Sequence, residues 1–69
     1  MPLDWALTQT GLGSALSELG QRENDTAKIE AAVAAYHEAL QVLHDGPNAR
    51  LAQEGLDRAQ TALDNMRAK

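Results

Sequence analysis

Sixty-nine residues carry a net charge of −4, no cysteine, no phenylalanine, and only Trp5 and Tyr36 as aromatics. A chain this short buries only about 60% of its unfolded surface, and without cysteine it has neither a disulfide nor a thiolate zinc site to staple it. There is also no basic stripe for phosphates and no apolar run of about 18 residues for a membrane.

The core must come from Leu, Ala, Val, Ile and Met, which suits helices packed closely through small residues. Charge is uneven: residues 1–45 sum to −5 and residues 46–69 to +1. No basic segment followed by an apolar stretch opens the chain, so no signal peptide is read and a cytoplasmic setting is expected.

The first helix is predicted over about Leu3 to Leu19. Pro2 suits a helix start and Gly20 a left-handed C-terminal cap. At about 100° per residue, Trp5, Leu12, Leu16 and Leu19 share one arc, widened by Thr8 and Ala15, and that stripe is the expected core face.

After a polar break from Gln21 to Asp25, Asp25 or Thr26 offers an oxygen to cap a second helix over about Thr26 to His44. One apolar stripe holds Ile29, Ala32, Val33, Tyr36, Leu40 and Leu43. A second holds Ala31, Ala35 and Val42. Two stripes imply two neighbours, the second being the third helix of the same chain or of another copy. Glu30, His37, Gln41 and His44 form the wet face.

Asp45-Gly46-Pro47-Asn48 is the strongest break, with Gly46 free to take positive φ and Asn48 placed to cap a third helix over about Ala49 to Arg67. Ala52, Leu56, Ala59, Leu63 and Met66 make its packing seam. Gly55 beside that seam costs up to about 1 kcal/mol in a helix, which a close backbone approach would offset; otherwise the helix is locally weak there.

Leu12-Gly13, Gly20, and Ala32, Tyr36 and Ala39 within Ala34-Ala35-Tyr36-His37-Glu38-Ala39-Leu40 resemble the tetratricopeptide helix pair. So does the opening Pro2-Leu3-Asp4-Trp5-Ala6 with Thr8-Gln9, which resembles bacterial members that repeat such a segment. The likeness covers residues 2 to about 44. It departs in a turn about seven residues longer than usual and in a third helix without the Leu-Gly pair, which resembles a capping helix.

The resemblance implies an all-α fold for residues 1–69: an antiparallel helical hairpin plus a C-terminal helix, a single α-solenoid unit. Such arrays usually need about three units, so the chain is a piece of an array or a module completed by self-association. In that family the first helix lines the binding groove, and by register from Gly13 this face holds Leu7, Thr10, Ser14, Ser17 and Glu18. Helix geometry also places these five opposite the Trp5 stripe and outside the core.

The expected function is protein or peptide recognition, without catalysis, cofactor or metal, and with a homodimer as a further option. A terminal cap of a longer array is the alternative. His37 and His44, seven residues apart, sit roughly 10 Å apart along one helix and cannot chelate one ion. Asn24-Asp25-Thr26 matches a glycosylation sequon but is read as a helix-capping segment. Ser14 and Ser17 have no histidine on their helix, and carboxylates such as Asp57 and Asp64 lie on a solvated face where no deep pocket desolvates them.

Overall fold

Two short breaks divide the chain into three helices: α1 Pro2–Glu23, α2 Thr26–Val42 and α3 Gly46–Arg67. The computed structural model describes residues 2–44 and 46–68, the side chains of 2 and 3 excepted. The fold is all-α, and among the described residues there are no strands. No helix among them is long and apolar enough to cross a membrane.

The first turn is shorter than expected because α1 runs one turn past Leu19. Gly20 is not a cap; it lies inside the helix and is buried. Asn24 ends α1 instead, at φ 54°, a left-handed conformation that asparagine tolerates better than most side chains. The Asp25 N–H then donates to the Gly20 carbonyl at 2.8 Å and the Asn24 N–H to the Gln21 carbonyl at 3.4 Å, the paired bonds of a Schellman ending. Asp25 also caps α2, its carboxylate accepting from the Ala27 N–H at 3.1 Å. The sequon asparagine is thus a structural residue of the turn.

What requires glycine at position 20 is space: a Cβ there would lie 2.6 Å from Ile29 Cγ1 and 3.0 Å from the Asp25 carbonyl. Lys28 clasps the same turn, hydrogen-bonded to Glu23 and 3.8 Å from Asp25. The hydrogen bond to Glu23, with the charges of both acids, holds its ammonium pKa above the ordinary lysine value. Its contribution is therefore complete at neutral pH and is lost only in strong alkali, as pH rises through the raised pKa.

At the second break, Gly46 takes φ +89° as expected, while Asp45 lies outside the described residues. The structure starts α3 at Gly46, so Asn48 sits in the first turn and is not the residue that precedes it. Leu43, not His44, ends α2, its N–H donating to the Ala39 carbonyl at 2.9 Å.

The core is built from the expected faces of α2 and α3. Ile29, Ala32, Tyr36, Ala39 and Leu43 are buried against Ala49, Ala52, Leu56, Ala59 and Leu63, with Val33, Leu40 and Met66 packed at the edges. Glu30, His37, Gln41 and His44 are exposed. Arg67 pairs with Glu30, tying the end of α3 to the start of α2.

The second α2 stripe is only partly covered: Ala35 is buried, Val42 half-buried and Ala31 exposed. Its arc is the one holding Glu38, which accepts a hydrogen bond from Gln9 at 2.7 Å. It therefore faces α1 rather than α3.

On α1 the expected core stripe is wrong. Trp5, Leu12 and Leu19 are 44%, 46% and 37% exposed, and Leu16 is half-buried. The buried residues are Ala6, Gly13, Ser17 and Gly20, centred about 110° round the helix. Small side chains on this face let α1 come close to α2, so the volume between them is filled from α2 by Tyr36 and Ile29. Because Trp5 is nearly half exposed, Trp5→Ala is expected to cost under about 1.5 kcal/mol, well below the 3–5 kcal/mol of a core tryptophan. Urea denaturation followed by circular dichroism checks this, and a core-sized loss would contradict the placement.

Candidate functional site: a cleft between the first and third helices

Tyr36 determines how α3 stands relative to α1. Its ring is 2% exposed and lies between two glycines on opposite helices. A Cβ at Gly13 would sit 3.0 Å from the ring atoms Cε2 and Cζ, and one at Gly55 only 2.4 Å from Cζ. The close approach that would justify a mid-helix glycine is thus the one made by this ring. Beside this ring an open cleft lies between α1 and α3.

A cavity of about 370 Å³ occupies the cleft. Ser14, Ser17, Glu18 and Gln21 of α1 form one wall, Gly55 and Arg58 of α3 the other, and Tyr36 the floor. A neighbouring cavity of about 380 Å³ continues along α3, lined by Asp57, Thr61, Ala62 and Asn65 and sharing Gln21 and Arg58 with the first.

Three of the five expected groove residues are therefore brought together, and two are not. Ser14 and Glu18 are exposed on the cleft wall. Ser17 lines it too, but is 7% exposed and belongs to the helix contact rather than to the solvated face expected of it. Its hydroxyl accepts from the Gln21 side-chain amide at 3.2 Å. Thr10 is half-buried and spends its hydroxyl on the Ala6 carbonyl of its own helix at 2.9 Å. Leu7 is exposed but lines neither cavity.

The α3 wall could not be assigned by register from α1 alone. Gly55 was its one signal, a glycine beside an apolar seam. Arg58, Thr61 and Asn65 look like ordinary solvated positions until α3 is laid against α1.

The lining sets the chemistry. Hydroxyls of Ser14, Tyr36 and Thr61 and amides of Gln21 and Asn65 offer donors and acceptors over an aromatic floor. Among the described residues the ion pairs are those of Lys28 with Glu23 and Asp25, and of Arg67 with Glu30. Arg58 is in none of them, so its guanidinium is free to meet a carbonyl or carboxylate. Glu18 and Asp57 keep the cleft from being strongly cationic. Neither cavity is lined by a histidine; His37 on α2 and His44 beyond its end are both exposed.

No protein-family model matches the chain, and neither a curated protein nor a solved structure matches it significantly.

Proposed function

We propose that this chain is a non-catalytic protein–protein interaction module of tetratricopeptide type, cytoplasmic, that holds an extended peptide in the cleft between α1 and α3. The observation that carries the reading is the wall of Ser14, Ser17 and Glu18 facing Gly55 and Arg58 across Tyr36. An extended peptide presents alternating N–H and C=O groups that lose solvent on docking and must be re-paired. A cleft with hydroxyls, amides and one unpaired arginine along its walls suits that need better than it suits an apolar ligand. The Gly13–Tyr36 contact supports the family reading, since it is the packing that the Leu12-Gly13 and Tyr36 motifs imply.

The test is selection of ligands from a displayed random-peptide library, followed by titration of the best peptides against the wild type and Ser14→Arg. Ser14 is exposed, so the variant should fold normally while its long cationic side chain fills the cleft. At least a tenfold loss of affinity is expected, about 1.4 kcal/mol. Equal binding by the variant would rule the cleft out as the binding surface.

A second reading, a terminal cap of a longer helical array, is favoured by one specific observation: Trp5, Leu12 and Leu19 lie uncovered on the outer side of α1. If no peptide is selected and an appended helical hairpin covers that ridge, this reading replaces the first.

A further inference from the structure

We infer that two copies of this chain pair antiparallel through α1, with the Trp5–Leu12–Leu19 ridge as the contact. The inference is independent of the cleft, which lies on another face of the same helix.

Trp5, Leu12 and Leu19 are spaced by seven and are all exposed. Seven residues make nearly two turns, so the three stand in one row with only a slow left-handed drift, the geometry of a helix–helix seam. Thr8 and Ala15 beside the row are exposed and small, which lets a second helix come close.

The row is symmetric about Leu12. A two-fold axis there sets Leu12 against Leu12 of the second copy and Trp5 against Leu19, twice over. Such a self-complementary patch is what a two-fold interface requires.

Charge selects the antiparallel arrangement. Asp4 and Arg22 are eighteen residues apart, five full turns, so they flank the ridge on the same side. In an antiparallel pair the same flanks face each other, and Asp4 of one copy meets Arg22 of the other at both ends. Their levels differ by about 3 Å along the axis. Side chains tilt toward the helix N-terminus, which narrows that gap from both sides. Neither residue is in an ion pair within the chain among the described residues. A parallel pair would set the two Asp4 side chains, and likewise the two Arg22 side chains, on opposite sides of the seam with Asp4 and Arg22 at opposite ends, so only the antiparallel pair brings the opposite charges together.

One helix face about 33 Å long gives a contact at the low end of specific interface sizes, so the pairing is reversible and concentration-dependent. Trp5 is the only tryptophan and sits in the contact, which gives the dimer a fluorescence signal of its own.

Sedimentation equilibrium and Trp5 emission, followed between about 10 µM and 1 mM, test the inference. The mass should rise from one chain toward two while the emission shifts to the blue. Leu12→Glu, at an exposed position, should keep its helical circular dichroism and weaken pairing at least tenfold. Asp4→Lys or Arg22→Glu alone should weaken pairing severalfold, and the two together should restore it; this exchange also serves as the test if Leu12→Glu disturbs the fold. A chain that stays monomeric with unchanged Trp5 emission throughout would overturn the inference and leave the ridge to a different protein. A dimer indifferent to Leu12→Glu, or one not restored by the charge exchange, would also overturn it.

Discussion

Tyr36→Ala is expected to remove about 3–5 kcal/mol of stability, the range for deleting a buried aromatic. A chain of this length has roughly 3–10 kcal/mol in total, so the variant should be largely unfolded or unfold at very low denaturant. The size of the effect follows from position. The ring touches all three helices, with Gly13 on one side and Gly55 on the other, so its loss leaves a cavity that no single helix can close. Tyr36→Phe is the control. It keeps the ring and removes only a hydroxyl that opens on the cleft, where water can satisfy it, so it should cost under about 1 kcal/mol. Urea denaturation of both variants decides: similar losses for the two would mean that the hydroxyl, not the ring, holds the helices together.

Gly55→Val should be the most damaging change on α3, at about 3 kcal/mol. A Cβ at this position falls 2.4 Å from Tyr36 Cζ and 2.6 Å from its hydroxyl oxygen. The ring cannot swing away, because Gly13 already backs its other side. Helix propensity acts in the opposite direction, since any residue other than proline improves on glycine by up to about 1 kcal/mol, but the steric overlap outweighs that gain. The balance gives a sharper test with Gly55→Ala. It should destabilise the wild type, yet stabilise the Tyr36→Ala protein by about 0.5–1 kcal/mol once the ring is gone. A change with the same sign in both backgrounds would mean that the Gly55–Tyr36 contact is not what limits the site. Gly11 provides the opposite reference, since a Cβ there meets nothing within 4 Å.

Much of the fold is legible in the residues alone because α2 and α3 use apolar side chains for the job that apolar side chains usually do. Ile29, Ala32, Tyr36, Leu43, Ala52, Leu56, Ala59 and Leu63 recur at helical spacing and are buried. Asp25 and Gly46 have the chemistry their turn positions need. One wall of the cleft is legible too, through the register from Gly13 to Ser14, Ser17 and Glu18. The opposite wall is not, because no local signal distinguishes Arg58 or Asn65 from any solvated residue of an exposed helix.

By itself the sequence determined that there are three helices, roughly where they break, and which faces α2 and α3 bury. Only the tertiary structure decided which face α1 buries. Apolarity on α1 points to Trp5, Leu12 and Leu19, but burial follows the volume available between helices. With Tyr36 and Ile29 filling that volume from α2, the α1 side is the face of small residues Ala6, Gly13, Ser17 and Gly20. The large residues are turned outward, where they form the ridge and leave the cleft to its polar neighbours.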